Sequence, residues 1–165
     1  MSRHSSLSQA DPTFSAKSRP TWEIIRRVWK YLLPYKGMAA ATIVICNDYE
    51  FELIRQKTGL SEADVLAQAP LLVVTKGEKG CTIHTKDGAE DVAAVTPDRI
   101  ADPTGVGDAF RGGFMKGLAM GAPYRVCAQL GSVAATYCLE HLGGTSHAYT
   151  WSEFKQRYER HFGAL

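Results

Sequence analysis

The sequence is short of the features that mark several protein classes. No apolar run approaches the ~20 residues that a membrane-spanning helix needs. The longest candidate, Met38 to Cys46, has nine residues and suits a buried strand instead. No apolar stretch follows the first charges, which argues against a secretory leader. An excess of one charge is missing too: 19 Lys and Arg stand against 17 Asp and Glu, a net charge of +2. No Lys/Arg run interrupts the body of the chain, so nucleic acid is not an expected partner. Cysteines number four, Cys46, Cys81, Cys127 and Cys138, and none forms a C-x-x-C pair. That removes the usual spacing of zinc sites and disulfide frameworks. Cys127 and Cys138 lie eleven residues apart on one expected helix, about 16 Å along its axis and too far to share a metal. Reduced thiols packed as small apolar side chains fit a cytoplasmic protein.

What is present is an ordinary globular composition, 45% hydrophobic and 22% charged over 165 residues, enough for one domain. Residues 1–20 are Ser-rich and poor in large apolar side chains, and are expected to be a disordered tail. Residues 21–37 spell an amphipathic helix, with Trp22, Ile25, Trp29, Leu32 and Leu33 on one face and Arg26, Arg27 and Lys30 outside it. Pro34 and Gly37 would end it. Such a helix could lie on a membrane surface or cover part of a core.

From Ala41 onward strands and helices alternate. "ATIVIC" and "LLVVTKG" are apolar runs of strand length, and "GCTIHTKDGAEDVAAV" alternates around a Lys86-Asp87-Gly88 hairpin signal. Helices are expected over "NDYEFELIRQKTGL", over "SEADVLAQA" behind a Ser61/Asp64 capping box, over "AFRGGFMKGLAMG", over "PYRVCAQLGSVAATYCLEHLGG", and behind a Thr150/Glu153 capping box. In the fourth of these, Val126, Leu130, Val133, Ala134, Tyr137 and His141 would line one face. The alternation predicts an α/β fold with a mostly parallel sheet. Ligands of such sheets sit beyond the carboxyl ends of the strands. Three polar clusters fall there: Asn47 to Glu50, Thr75 to Gly80, and Asp102 to Asp108.

The third cluster belongs to "DPTGVGDAFRGGF", with four glycines and two aspartates in thirteen residues. Gly105 and Gly107 stand just before a helix, where backbone N–H groups and the helix dipole favour an anion. Asp108, in the first turn, could take a proton from an attacking hydroxyl or could cap its own helix. The dinucleotide glycine pattern and the P-loop are both absent.

The same string closely resembles the C-terminal signature D-T-x-G-A-G-D-x-F of the ribokinase-like carbohydrate and nucleoside kinases. Pro103 and Arg111 look most like the bacterial adenosine kinases. "NDYE" is similar to that family's N-x-x-E, and "VVTKGEKGC" to its nucleotide segment, in the same order. The resemblance runs from about Ile43 to the end of the chain. It implies a partial ribokinase-like α/β/α layered fold, cut short on its N-terminal side, over 41–165. It implies ATP-dependent phosphorylation of a nucleoside or sugar hydroxyl, with Asp108 as base and the N–H groups of Gly105, Val106 and Gly107 as anion hole. Asn47 and Glu50 would organise Mg²⁺ through waters, and Thr75, Gly77 and Gly80 would line the ATP site. Adenine would lie against the helix of Ala134 and Ala135. Asp102 and Thr104, with carbonyls near Gly143 and Gly144, match a potassium site of some members. Each role has a plainer competitor: Asn47 and Glu50 could simply start a helix, Thr75 to Gly80 could be only a hairpin turn, Arg111 could bind phosphate or be solvated, and Gly112 and Gly113 could permit close helix–sheet packing.

The chain departs from that family upstream of Asn47, where the family's substrate-contacting segments are not found. "IIRRVWKYLLPYKGMAAATI" instead resembles the entry segment of lipid-exporting ABC transporters, which suggests a junction near Ala41. Three expectations follow: a kinase whose other half is supplied in trans or lost, a nucleotide-binding remnant without turnover, or a peripheral membrane or interaction protein acting through the Trp22–Leu33 helix. An unpaired strand edge would favour association with a second copy or a complementing kinase half.

Overall fold

The computed structural model describes residues 43–165. The expected tail over 1–20, the amphipathic helix over 21–37 and the junction near Ala41 lie outside those residues.

Strand β1 (Ile43–Asn47) runs straight into helix α1 (Asp48–Thr58). A short helix α2 (Glu62–Gln68) returns the chain to β2 (Leu71–Thr75). A 3-10 turn (Gly77–Lys79) then leads into β3 (Cys81–Thr85) and β4 (Gly88–Val92). After an extended stretch come α3 (Val106–Ala119), α4 (Tyr124–Leu139) and α5 (Trp151–Phe162). Three of these helices start on reciprocal capping boxes, Asn47/Glu50, Ser61/Asp64 and Thr150/Glu153. In each, two otherwise unpaired backbone donors are satisfied within four residues, which is why polar residues placed three apart fix the starts so sharply.

The four strands lie in the order β1-β2-β3-β4. β1 pairs parallel with β2, while β2–β3 and β3–β4 are antiparallel. The sheet over the described residues is therefore mixed, not mostly parallel. The reason is connection length. α1 and α2 supply the crossover that a parallel pair requires, but the turn after Thr75 and the two-residue loop Lys86–Asp87 can join only antiparallel neighbours.

β2 is buried on both faces, as a central strand should be. Leu71 and Val73 face one way, into a core with Phe110, Phe114, Cys127 and Ala128 from α3 and α4. Leu72 and Val74 face the other way, against Cys46 and Val65, with Phe51 and Leu66 packed beside them. The result is the α/β/α layering. A third cluster, Val95, Leu130, Val133, Ala134, Phe154 and Tyr158, fixes α5 on α4. Burial runs without a break from Cys127 to Ala134, because α4 is covered by α3, by α5 and by strands β3 and β4. The single apolar face expected of α4 is thus too narrow, and His141 lies past its end, with Nδ1 2.8 Å from Tyr137 O. Gly113 makes the α3–α4 approach possible, since a Cβ there would stand 2.6 Å from Leu130 O. Gly112 meets nothing within 4 Å. All four cysteines are buried and unlinked.

Candidate active site

The first two polar clusters meet because of strand register. Asn47 and Thr75 are partners in the parallel β1–β2 ladder, so both end at the carboxyl edge of the sheet. The Thr75 hydroxyl donates to Cys46 O at 3.4 Å. Asn47 Oδ1 accepts from Glu50 N at 2.7 Å, and Glu50 Oε2 accepts from Asn47 N at 2.9 Å. Asn47 and Glu50 therefore do start a helix. They do so at the rim of the candidate site, and Asn47 and Glu50 are both exposed there.

The second cluster is a closed turn. Lys76 N donates to Gly80 O at 2.7 Å, and both Gly77 and Gly80 have positive φ. Gly80 packs tightly: a Cβ would stand 2.0 Å from Val92 O. Gly77 is open, with nothing within 4 Å of such an atom. Lys76 Nζ lies 3.6 Å from Asp91 Oδ1, and Asp91 also accepts the Thr82 hydroxyl. The hydroxyl first, and the Lys76 charge second, hold the Asp91 carboxyl below its ordinary value.

The third cluster forms the N-terminus of α3. Gly105 is the N-cap, at φ +79°, and no side chain caps the helix. Asp108 is left free of that duty, with its side chain 83% exposed. Val106 N reaches Pro103 O at 3.4 Å, and Ala109 N reaches Gly105 O at 2.9 Å. The N–H groups of Gly105, Gly107 and Asp108 have no acceptor among the described residues. Of the three expected anion-hole donors, Gly105 and Gly107 are available, Val106 is engaged over a long bond, and Asp108 N–H adds a third.

This loop is braced from behind. Asp102 Oδ1 accepts Thr104 N at 2.8 Å, and Asp102 Oδ2 accepts Gly143 N at 2.9 Å. Hydrogen bonds from Thr104, then from Gly143, hold the Asp102 carboxyl below its ordinary value. Thr104 O and Gly144 O both receive the Cys138 thiol, at 3.4 and 3.6 Å. Asp102, Thr104, Gly143 and Gly144 thus come together as expected, and their role in this structure is a brace between the loop and the chain after α4.

Arg111 connects the clusters. Its Nη1 lies 2.8 Å from Asp108 Oδ1, its Nη2 3.7 Å from Glu50 Oε2, and Nη2 reaches Ile45 O at 3.5 Å. One guanidinium so spans the base candidate and the capping box of α1. The i,i+3 spacing of Asp108 and Arg111 was visible in the sequence; the contact with Glu50 was not, because it depends on how α3 lies over β1. Ala134 is 3% exposed, inside the cluster with Phe154 and Tyr158. Ala135 is partly buried against the core of Leu71 and Phe110.

Chemically, the site offers unpaired N–H donors on a helix N-terminus and, beside them, an exposed carboxylate paired through one oxygen with a guanidinium. No group of three metal-ligating side chains occurs among the described residues.

Comparison with known proteins agrees with this inventory. The family model for the pfkB family carbohydrate kinases matches residues 20–151, a span that includes the stretch 24–43 likened above to a transporter segment. The chain is 32% identical over 115 residues to the nucleoside kinase of Methanocaldococcus jannaschii, covering 70% of this chain and 38% of that one. The nucleoside kinase of Burkholderia thailandensis, solved with inosine, superposes with a TM-score of 0.72 at 39% identity, over 74% of this chain and 41% of that one. The ribokinase of Thermotoga maritima shares the fold, with a TM-score of 0.63 at 21% identity over 70% of this chain and 41% of that one. The chain spans about two fifths of the length of the relatives it matches. Its three motifs, their meeting at one sheet edge, and a family match over most of its length make this chain a member of the pfkB carbohydrate kinase family.

Proposed function

We propose that the chain carries the nucleotide-binding and base-bearing part of an ATP-dependent kinase acting on a hydroxyl of a nucleoside. The observation that carries this is the exposed Asp108 carboxylate, which does not cap its own helix and pairs through one oxygen with Arg111, beside the unpaired N–H groups of Gly105 and Gly107. A base must be able to reach a hydroxyl, and an anion hole must have donors to spare. The nucleoside class is supported by the named activities of the relatives; adenosine is one member of that class and is not singled out.

In this reading the acceptor hydroxyl gives its proton to Asp108 as its oxygen bonds to the γ-phosphorus. The bond to the β,γ-bridging oxygen breaks, and that oxygen leaves with ADP. Gly105 and Gly107 N–H groups, with the dipole of α3, stabilise the charge on the transferring phosphoryl oxygens. Thr75 and Gly77 would lie along the phosphate chain and Gly80 would hold the turn in shape. A magnesium ion, when bound, would neutralise the phosphates. Magnesium keeps several waters and uses few protein ligands, which suits Glu50 and Asn47 at the rim better than a three-ligand cage.

Because the chain spans about two fifths of its relatives, a second reading is nucleotide binding without turnover. The experiment is a matched pair on the full 165-residue chain: calorimetric titration with Mg-ATP, and ADP release with adenosine or inosine as acceptor. Under the kinase reading, Asp108→Asn abolishes turnover, by about 10²–10⁴-fold for loss of a general base, while binding persists. Turnover that survives this substitution overturns Asp108 as the base. Binding without turnover in the wild type selects the second reading, and no binding rejects both.

A further inference from the structure

We propose that Arg111 is a phosphate-binding residue of this site, held on Asp108 and Glu50 until a polyphosphate draws it away. The inference rests on the phosphoryl-transfer reading above and goes beyond it, since nothing in that reading requires a cation beside the base.

The geometry places the guanidinium at the anion loop. Besides the contacts of its guanidinium with Asp108, Glu50 and Ile45 O, Arg111 Nη1 lies 3.9 Å from where a Cβ on Gly107 would stand. The Arg111 side chain is 42% exposed, Glu50 47% and Asp108 83%. Ion pairs this wet are weak and cost little to break. A guanidinium bound bidentately to phosphate forms shorter, charge-assisted hydrogen bonds, about twice as strong as neutral ones. When a polyphosphate occupies the N–H groups of Gly105 and Gly107, the exchange of partners therefore favours the anion.

Two consequences follow for the same site. In the resting arrangement the guanidinium covers one oxygen of Asp108, which leaves the base partly engaged. Once Arg111 turns to phosphate, that oxygen is released where an acceptor hydroxyl would approach. The donor thus uncovers the base, and Glu50 is freed at the same moment.

The test uses the full chain with Arg111→Gln, Arg111→Lys, Asp108→Asn and the Arg111→Gln/Asp108→Asn pair. The probes are inorganic tripolyphosphate and Mg-ATP, read by calorimetry and by the NMR signal of the Arg111 side-chain Nε–H. Tripolyphosphate should shift that signal. Arg111→Gln should weaken tripolyphosphate about tenfold or more, and Arg111→Lys should restore only part of the loss. Asp108→Asn should tighten binding several-fold with Arg111 present and by clearly less in the Arg111→Gln background. Equal gains in both backgrounds, an unshifted Arg111 signal, or unchanged affinity in Arg111→Gln each overturn the proposal. The two readings fail separately. Mg-ATP bound normally by Arg111→Gln removes the Arg111 role and leaves the nucleotide site. Tripolyphosphate that shifts Arg111 while Mg-ATP does not bind removes the nucleotide reading and leaves the anion role.

Discussion

Replacing Gly105 with alanine should cost more than replacing Gly77, for two reasons that can be separated. Gly105 sits at φ +79°, where an L side chain is strained, by about 1–2 kcal/mol. The added Cβ would also stand 2.7 Å from Gly144 Cα and 3.2 Å from Gly144 O. Those are backbone atoms, so relief requires the loop or the chain after α4 to move. Forced overpacking of this kind costs about 1–3 kcal/mol. The sum is about 2–5 kcal/mol, against a total stability of about 5–15 kcal/mol for a domain. Gly77 provides the control: it also has positive φ, +59°, but nothing lies within 4 Å of its Cβ position. Gly77→Ala keeps the strain and lacks the clash; any gain from a stiffer unfolded chain is common to both variants and cancels in the comparison. Equilibrium urea denaturation of wild type and both variants, followed by far-UV circular dichroism, measures the difference. Gly105→Ala should lose at least about 1–2 kcal/mol more than Gly77→Ala. Equal losses would mean that the Gly105–Gly144 contact does not constrain the loop, and the brace argument would fail.

The remaining expectations concern buried groups. Burial alone would raise the Glu140 carboxyl, but hydrogen bonds from Arg157 and from Asp98 N–H outweigh it and hold the group below its ordinary 4.5. Such a carboxyl stabilises the fold fully above its ordinary value and loses that contribution as pH falls through the lower folded value. Wild type should therefore lose stability more steeply below about pH 4.5 than Glu140→Gln, and the variant should be less stable at neutral pH, by up to about 3–5 kcal/mol, because buried Arg157 keeps only the exposed Asp98 carboxylate at 3.7 Å as an ionic partner; parallel stability–pH curves would refute this. Burial, with Glu50 or Asp91 nearby, pushes the Cys46 and Cys81 thiols up to about 11. At pH 8 only about a thousandth of each is thiolate, so a disulfide reagent should label them at the rate of unfolding, and rapid labelling of the native protein would contradict their burial.

Much of this fold was legible residue by residue. The three capping boxes could be read from spacing alone, since each is settled within four residues. The hairpin at Lys86–Asp87 was equally local. What escaped was set by neighbours distant in sequence. The burial of Ala134 depends on α5 closing over α4, and an alanine in an amphipathic pattern does not say which partner covers it. The Arg111–Glu50 contact spans two elements that touch only through β1.

The same distinction explains the shape of the candidate site. Its donors are local, because two glycines and a helix start suffice to present unpaired N–H groups. Their direction is not local. Asp102 fastens the loop to Gly143, 41 positions away, and the N–H groups of Ala101 and Asp102 both meet Leu139 O at the end of α4. Gly105 then closes against Gly144 without room for a side chain. The loop is consequently aimed by the C-terminal end of α4, and α4 is in turn fixed by α3 and α5. A substitution that loosens α5, far from the loop, should disturb the anion donors before it disturbs Asp108, whose carboxylate is positioned only by its own helix and Arg111. On the proposed reading, binding of a phosphate and reach toward a hydroxyl would therefore be separable properties of one short stretch, because the first would depend on tertiary bracing and the second on a helical side chain.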